Sequence, residues 1–428
     1  MISRAVGVLT AERLDSAVTN RPANLRTNRN NKTDRKDLDQ QTLAGSMKGE
    51  VEAGNKAKEC ANMDTLRCFS SVNDCSFSSG VERRPLVVRR LKLNGPERER
   101  WQSFMANEGT VFGSAPWVNL QCGKRDEALF FAVEDELGIC GACAVVNTRK
   151  IGNPLSGKFV IQGNPAIREG VEDRGAVVDL LFEAIDREAR RRRVLAIEFE
   201  GLWSMWPDRL ALERHGYQVR GLKGWIVELK GTEAEVHRKV ASSFRNLKNQ
   251  AQKKHNVTIS ESDDVAALCR LWSETYERAG KRLSPGTLAY LKGVYAALAP
   301  SKTAKIHLAT RDGQALSGCF NLYFGDTIYY WHGGSVSGER FGASHLLHWS
   351  VIRDSIGIFR RYHMGGSWEI YENEELRKRA EGVSTFKRLW GAETHDFCLG
   401  GKVLRPFAHR VFTSWLLPLA QKLKSLKT

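Results

Sequence analysis

Residues 304–334 read AKIHLATRDGQALSGCFNLYFGDTIYYWHGG, three apolar segments separated by the turn signals RDG and GD. Short apolar runs joined by an acidic residue next to glycine are typical of antiparallel hairpins. SHLLHWSVIRDSIGIF follows at residues 344–359, with apolar positions at the spacing of a helix. YHMGG, residues 362–366, then ends another strand. This region therefore predicts three antiparallel strands, a helix and a further strand.

The same order appears earlier in the chain. EALFFAVEDELGICGACAVV (127–146) predicts two strands around a turn, VVDLLFEAIDREARRRR (177–193) predicts a helix, and VLAIEFEGLW (194–203) predicts a strand. An amphipathic helix precedes this order in each half, at residues 95–108 and 263–280. Two tandem units of one plan give the predicted fold class, an α+β protein (α/β sandwich) with mixed, mostly antiparallel sheets flanked by helices.

The chain has 428 residues, which suits two domains of ordinary size. Residues 1–84 contain no Trp or Tyr, so they cannot bury enough apolar surface to order themselves and are predicted to be a disordered tail. We expect the first domain at 85–228 and the second at 229–397. Residues 398–428 are expected to pack back on the first domain.

Composition narrows the class of protein. No run of eighteen apolar residues is present, and the first residues lack an uninterrupted apolar stretch, so we expect a cytoplasmic protein. Cys140 and Cys143 form a CxxC without a second pair, which favours buried strand cysteines over a zinc site. The formal net charge of +16 favours phosphate-bearing partners: nucleic acid, nucleotide-linked substrates or an anionic membrane surface.

Four stretches stand out beside the order of helix, antiparallel strands, helix and strand: RWQSFMANEGTVFGSAPW (100–117), SSFRNLKNQAQKKHNVTI (242–259), IYYWHGGS (328–335) and GVSTFKRLWGAE (382–393). With these stretches in this order, the chain from roughly residue 86 to 410 resembles the Fem family of peptidoglycan aminoacyltransferases, within the wider GNAT-like acyltransferases. The last of the four stretches is the most specific, because it combines the preceding YHMGG strand with a Phe-Lys pair at family spacing.

The resemblance implies transfer of an aminoacyl group from aminoacyl-tRNA to a peptide amine of a nucleotide- or lipid-linked peptidoglycan precursor. It implies tRNA as a partner, no DNA, no metal, and no cofactor beyond the co-substrate. The coiled-coil arm of some Fem enzymes has no counterpart here, since no long heptad run is present. An acyl-CoA-dependent N-acyltransferase acting on an envelope sugar or peptidyl amine is therefore the alternative, and a non-catalytic binding module is the third reading.

Acyl transfer to an amine needs stabilisation of the negative charge on the tetrahedral intermediate, while the nucleophile belongs to the substrate. The resemblance assigns this role to Lys387, and it counts Phe386, packed beside the lysine, among the catalytic residues. The alternative is that Lys387 extends from a strand end to solvent and Phe386 is core. Tyr330 is the expected acceptor contact and Tyr329 is second, because alternation along a strand lets only one of them face the cleft.

Other residues are assigned to the acceptor. Arg282, ahead of Arg278, is expected to hold a diphosphate, with stabilisation of a helix C-terminus as the alternative role. His332 is a candidate general base, against the more common surface histidine. Trp117 ends the first matching stretch and is included as a substrate contact.

Donor contacts are expected from a basic helix and a loop. Arg238, Arg245 and Lys248 share one face of a helix predicted at 238–254, and Arg245 is also a candidate for the acceptor's anion. GNAT enzymes hold the CoA pyrophosphate with a glycine-rich turn at a helix N-terminus. Here ERFGASHLL, residues 339–347, is a degraded match. Its donor-binding candidates are Arg340, Gly342 and Ser344, and the alternative for Ser344 is a helix N-cap.

The last residues, RVFTSWLLPLAQKLKSLKT (410–428), combine apolar residues with lysines. Packing back on the first domain is the preferred interpretation. The other is peripheral contact with the inner face of the membrane, where a lipid-linked precursor would lie. REARRRR, residues 187–193, is expected to be a solvated face.

Overall fold

A computed structural model describes residues 86–148, 157–200, 209–339, 341–367, 374–411 and 414–415. The predicted disordered tail, residues 1–84, lies outside these ranges.

The first half of the described chain consists of six strands and four helices. Its strands are β1 (Val87–Leu91), β2 (Glu127–Asp135), β3 (Gly138–Thr148), β4 (Lys158–Ile167), β5 (Ala196–Glu200) and β6 (Gln218–Glu228). Its helices are α1 (Gly95–Glu108), α2 (Ala115–Gln121), α3 (Arg174–Arg191) and α4 (Arg209–Arg214), with one 3-10 turn at Val111–Gly113.

The second half repeats this plan with additional helices. Its strands are β7 (Thr258–Ser262), β8 (Ala304–Arg311), β9 (Gln314–Phe324), β10 (Thr327–Ser335), β11 (Arg361–Ser367) and β12 (Glu393–Val403). Its helices are α5 (Glu233–Lys239), α6 (Ser242–Lys253), α7 (Val265–Arg278), α8 (Pro285–Leu298), α9 (Ala343–Arg353), α10 (Glu374–Leu389) and α11 (Pro406–Val411).

All twelve strands form one sheet in the order β1-β2-β3-β4-β5-β12-β6-β11-β10-β9-β8-β7. Among the strands that the structure describes, only β4–β5 and β10–β11 pair in parallel. The last strands of the two halves are exchanged, since β6 pairs with β11 and β12 pairs with β5. The predicted fold class is confirmed, and the two expected sheets are halves of one continuous sheet. The boundary expected between residues 397 and 398 falls inside β12.

Helix periodicity explains how the sheet is covered. Leu181, Phe182 and Ile185 of α3 are fully buried against the first half of the sheet, and each such residue contributes about 1.5–3 kcal/mol when removed from water. Cys140 and Cys143 lie in the same core, as predicted for buried strand cysteines. In the second half, the apolar positions of α9 are buried in the equivalent way.

The hairpin between β8 and β9 shows why the RDG signal is reliable. Asp312 and Gly313 have φ values of 51° and 75°. Positive φ at both central residues is the conformation of a type I′ turn, whose twist matches that of the flanking strands.

Candidate active site

The parallel strands β10 and β11 separate near the middle of the sheet. Their backbones pair only where Thr327–Tyr329 of β10 lie beside Arg361–His363 of β11. Against its other neighbour, β6, strand β11 has an irregular register between His363 and Gly366. Gly365 in this bulge has a φ of 77°, a conformation that favours glycine. The YHMGG sequence therefore turns the backbone out of the regular ladder at the point where the strands diverge.

Lys387 reaches this bulge from helix α10. Its Nζ donates to the carbonyl oxygen of Gly365 at 3.1 Å and to that of Gly366 at 2.9 Å. The side chain is 6% exposed, and burial lowers the pKa of the Lys387 amine to about 7. The alternative of a lysine extending from a strand end into solvent is therefore wrong, because the residue lies on a helix and points inward.

Phe386 lies beside Lys387 but contacts a different part of the protein. Its ring is 5.4 Å from Phe244 and 5.6 Å from His348, and Trp390 completes this aromatic cluster. Because neighbouring helix residues point about 100° apart, the aromatic packing of Phe386 fixes the direction of Lys387. The catalytic role assigned to Phe386 stays a prediction, and the contacts described here are those of an anchor.

The two tyrosines of β10 lie on opposite faces of the sheet, as alternation predicts. Tyr330 packs on His348 at 4.7 Å, within the aromatic cluster around Phe386. Tyr329 stacks on His363 at 5.7 Å and meets Phe112 of the first half at 5.3 Å. Burial raises the pKa of both phenols, so both remain neutral. The structure places Tyr329, rather than the preferred Tyr330, next to the histidine of β11.

His363 is a site residue that the sequence did not single out. Its Nδ1 accepts a hydrogen bond from the Gly365 backbone N–H at 2.9 Å, so the ring supports the same bulge that Lys387 contacts. Burial, followed by the nearby positive charge of Lys387, lowers the pKa of His363 to about 3. The available signal was its position in YHMGG, two residues before the first glycine.

Two arginines predicted to bind anions make structural contacts. Arg278 donates to the Ser335 carbonyl oxygen at 2.6 Å and to the Ser335 Oγ at 3.1 Å, which holds the end of β10. Arg245 donates from Nη1 to the carbonyl oxygens of His237, Arg238 and Val240. These carbonyl groups lie at the C-terminal end of α5, where the last carbonyls of a helix have no partner within the helix. The acceptor roles of Arg278 and Arg245 stay predictions, and Arg282 is exposed.

The prediction of one continuous helix at 238–254 is wrong, because two separate helices, α5 and α6, cover this region. Val240 and Ala241 have extended ψ values of 132° and 143°, so Arg238 and Arg245 lie on different helices. Lys248 of α6 lies over the Trp349 ring at 5.2 Å, and burial lowers the pKa of its amine. A donor contact by Lys248 stays a prediction.

In the loop before α9, backbone N–H groups already donate to a carboxylate of this chain. Oε1 of Glu339 accepts hydrogen bonds from the backbone N–H groups of Phe341 and Ala343, the latter at 3.2 Å. Gly342 has a φ of 73°, and a Cβ there would lie 2.6 Å from the Leu247 carbonyl oxygen. Helix α6 therefore covers the N-terminus of α9.

Ser344 does not cap this helix. The N-cap residue of α9 is Gly342, and Ser344 Oγ shares a hydrogen bond with Ser317 Oγ at 2.9 Å. The N-cap alternative for Ser344 is therefore wrong. Arg340, the third donor candidate, lies outside the described residues. The donor roles of Gly342 and Ser344 stay predictions.

His332 and Trp117 belong to the aromatic packing around β10. The His332 ring lies 4.2 Å from Trp272 and 4.3 Å from Trp331. Although part of the residue is exposed, desolvation lowers the pKa of His332 to about 3, so it is neutral and a weak base. Trp117 is 5% exposed and meets Trp331 edge to face at 5.3 Å. Trp117 thus joins α2 of the first half to β10 of the second.

Within the described ranges, no group of three or more His, Cys, Asp or Glu residues could hold a metal ion. Among the helices that the structure describes, none is both long and apolar enough to cross a bilayer.

Comparisons with known proteins agree with this geometry. Residues 235–388 match the family model for the acetyltransferase (GNAT) domain. The structure is similar to FemX, with a TM-score of 0.62 and 14% sequence identity over 76% of this chain and 100% of that chain. No curated protein matches the chain.

Two other solved structures are similar at lower TM-scores. L-PGS from Bacillus licheniformis is 15% identical over 73% of this chain and 95% of its own, with a TM-score of 0.45. A tandem GNAT protein from the clavulanic acid biosynthesis pathway is 12% identical over 74% and 98%, with a TM-score of 0.43. The chain thus has a fold similar to that of FemX, and its residues 235–388 match the acetyltransferase (GNAT) domain, which supports an acyltransferase, as the resemblance in its sequence predicted.

Proposed function

We propose that this acyltransferase moves an aminoacyl group from aminoacyl-tRNA to a peptide amine of a peptidoglycan precursor. The observation that carries this proposal is the position of Lys387, whose buried amine lies at the bulge beside the separation of β10 and β11. A cation in a largely dry site stabilises negative charge far better than a cation in water.

The reaction needs one proton transfer and one exchange of bonds. The acceptor amine attacks the ester carbonyl carbon of the aminoacyl group, and the bond from that carbon to the tRNA ribose oxygen breaks. The amine loses one proton and the departing ribose oxygen gains one, which leaves an amide and a free tRNA hydroxyl. Negative charge builds up on the carbonyl oxygen between these two events.

Lys387 has the donor geometry for that oxygen. An ammonium group has three N–H bonds, and the carbonyl oxygens of Gly365 and Gly366 take two of them. The third N–H is left for the carbonyl oxygen of the donor. With a pKa of about 7, Lys387 is also suited to pass a proton to the departing oxygen near neutral pH.

Glu339 favours aminoacyl-tRNA over acyl-CoA as the donor. A CoA pyrophosphate would need the free N–H groups at the N-terminus of α9, and the Glu339 carboxylate accepts hydrogen bonds from the first of them, that of Ala343, and from the Phe341 N–H just before the helix. A pyrophosphate would meet that negative charge directly, and the backbone of Leu247 covers Gly342 from the other side. An acyl-CoA-dependent reaction on an envelope sugar or peptidyl amine remains the second candidate because the family model is that of acetyltransferases.

The acceptor side of the proposal keeps the expected partners. Arg282 is exposed and remains the candidate for the diphosphate of a nucleotide- or lipid-linked precursor. The proposed location is cytoplasmic, peripheral at the inner face of the membrane, where a lipid-linked precursor would be reached.

The test is to incubate the purified full chain with peptidoglycan precursors and either charged tRNA or an acyl-CoA pool, followed by mass spectrometry. We expect a mass increment of one aminoacyl residue that requires charged tRNA and disappears after RNase treatment. A mass increment that requires acyl-CoA and resists RNase would support the second candidate instead. Absence of both increments, with a folded protein, would overturn the proposed acceptor class.

A further inference from the structure

A cavity of about 290 Å³ lies beside the C-terminal end of α3, on the first half of the chain. Its lining consists of three arginines, Arg190, Arg193 and Arg405, together with the apolar residues Val194 and Leu404. All three arginines are exposed. A concave surface that combines three guanidinium groups with an apolar wall is suited to an anion attached to an apolar body.

Backbone hydrogen bonds hold the segments of this pocket together. The N–H groups of Leu404 and Arg405 donate to the Leu195 carbonyl oxygen at 2.9 and 3.3 Å. Nη1 of Arg405 donates to the Arg193 carbonyl oxygen at 3.5 Å. The end of α3, the start of β5 and the chain after β12 are therefore fixed relative to one another, which brings the three arginines to one place.

The acidic residue nearest in sequence is engaged elsewhere. Glu188 forms ion pairs with Arg90, Arg191 and Arg192, and the hydrogen bonds from Arg191 and Arg192 hold the pKa of Glu188 down to about 2. Its charge is therefore compensated outside the pocket. The prediction that REARRRR is only a solvated face is too simple, since Arg192 is ion-paired while Arg190 and Arg193 line a cavity.

Exposed aromatic residues lie next to the pocket. Helix α11 starts directly after Arg405 and is anchored by Ala408 on Leu195 and Ala196. On this helix Phe407 is 83% exposed, and Trp415, four residues beyond its end, is 75% exposed. Residues 401–428 contain no Asp or Glu, but have Lys or Arg at 402, 405, 410, 422, 424 and 427.

We propose that Arg190, Arg193 and Arg405 form a phosphate-binding pocket with which the protein docks on anionic phospholipid membranes, while Phe407 enters the interface beside them. Basic residues close to an anionic bilayer and aromatic residues at headgroup level are the two contributions that hold peripheral proteins on membranes. The apolar walls of the pocket and the leucine-rich sequence that follows α11 favour lipid over RNA, whose backbone offers no apolar partner. This inference rests on the proposed function only for the reason why the protein would dock, which is access to a lipid-linked acceptor.

The test uses the full chain and flotation with vesicles. One set is pure phosphatidylcholine, and the other contains roughly one third phosphatidylglycerol. We expect binding to the anionic vesicles only, weakened by added salt. Replacing all three arginines (R190Q, R193Q and R405Q) should weaken this binding by about fivefold per arginine, roughly a hundredfold in total. F407S should weaken binding with the arginines intact.

Matched controls separate the pocket from general charge. The triple variant R98Q, R125Q and R270Q removes the same charge from exposed positions outside the pocket, and L137S removes an exposed apolar residue on the β2–β3 turn. Both should bind vesicles nearly as wild type does. Equal losses in the pocket and control triples would overturn the proposed pocket.

The RNA outcome is tested with the same proteins. If the pocket variants lose tRNA binding and keep vesicle binding, the surface is a nucleic-acid site and the proposal is wrong. Turnover on a soluble, nucleotide-linked acceptor without membranes should be unchanged in the pocket variants. A wild-type protein that binds anionic vesicles but transfers nothing would contradict the proposed function while leaving the docking surface in place.

Discussion

The amine of Lys387 lies 2.9 Å from the carbonyl oxygen of Gly366, a residue of strand β11 that comes 21 positions earlier in the sequence. This contact links helix α10 to the place where β11 leaves the regular ladder. The glycine bulge creates carbonyl groups that point at the helix, and the buried amine fills that position. Backbone geometry and the catalytic candidate are therefore parts of one arrangement.

The first prediction concerns Lys387→Met. Because the amine is the proposed donor to the developing oxyanion, we expect transfer to fall by about 10²–10³-fold. The two carbonyl oxygens lose a partner, at a cost of about 1–3 kcal/mol each if they stay dry, but the cost of burying an amine disappears as well. The net change in melting temperature should therefore be a few degrees. Transfer rates and thermal unfolding of the same preparation check both parts.

Lys387→Arg is the companion variant. It keeps a positive charge but cannot lose it near neutral pH. If Lys387 only neutralises charge, the arginine variant should recover most of the activity. Wild-type activity in Lys387→Met would exclude Lys387 from the reaction.

The second prediction concerns pH. The pKa of Lys387 falls from its usual 10.5 to about 7 in the folded chain. Between those values the unfolded chain binds one proton more than the folded chain, so the free energy of unfolding rises with pH there. The contribution of this group is at most about 1.4 kcal/mol per pH unit. The free energy of unfolding of the wild type should therefore rise relative to that of Lys387→Met from pH 7 to pH 10, as measured by denaturant unfolding.

The rate should show the opposite trend on its alkaline side. If the ammonium form stabilises the oxyanion, transfer falls as pH rises through about 7, while deprotonation of the acceptor amine limits the rate at lower pH. A bell-shaped profile is the expected result. A profile whose alkaline limb is identical in Lys387→Arg would assign that limb to another group.

The local pattern of apolar residues was sufficient to predict the helices and hairpins that bury one face over a short stretch of sequence. The hairpins of 304–334 and the helices α3 and α9 follow directly from apolar spacing and turn residues. The exchange of β6 and β12 between the halves could not be read in this way. Pairing between strands distant in sequence depends on how whole units pack, and local periodicity carries no information about partners.

The site was only partly predictable for a similar reason. The resemblance located Lys387, but α10 was missed because its sequence is mostly polar and contains Gly382, which costs about 1 kcal/mol in a helix. The role of Glu339 depends on the fold of a loop, in which its carboxylate bends back to N–H groups two and four residues ahead. The sequence showed only that ERFGASHLL, residues 339–347, is a degraded match to the glycine-rich turn.

The third prediction concerns Glu339→Ala. The wild-type chain should not bind CoA at α9, because its own carboxylate accepts from the Phe341 and Ala343 N–H groups and places a negative charge at the start of the helix. Removing the carboxylate should lower stability by about 1 kcal/mol, the usual cost of losing a cap, and should permit weak binding of CoA or sulfate. Calorimetric titration of both proteins with CoA checks this. Glu339→Gln, which keeps an acceptor oxygen without the charge, should retain most of the stability.

Clear CoA binding to the wild-type chain would contradict this explanation of the loop. Ser344→Ala is a suitable control, because Ser344 contacts Ser317 and does not cap the helix. It should leave CoA binding as it is in the wild type.

The last prediction separates backbone strain from close packing at the same loop. Gly342 and Gly338 have nearly equal φ values of 73° and 69°, but a Cβ at Gly342 would lie 2.6 Å from the Leu247 carbonyl oxygen, while one at Gly338 would have no neighbour within 4 Å. Gly338→Ala should therefore cost about 1–2 kcal/mol, the price of the left-handed conformation. Gly342→Ala should cost a further 1–3 kcal/mol, since helix α6 must also move. Denaturant unfolding of the two variants measures the difference, and equal losses would mean that α6 does not cover the N-terminus of α9.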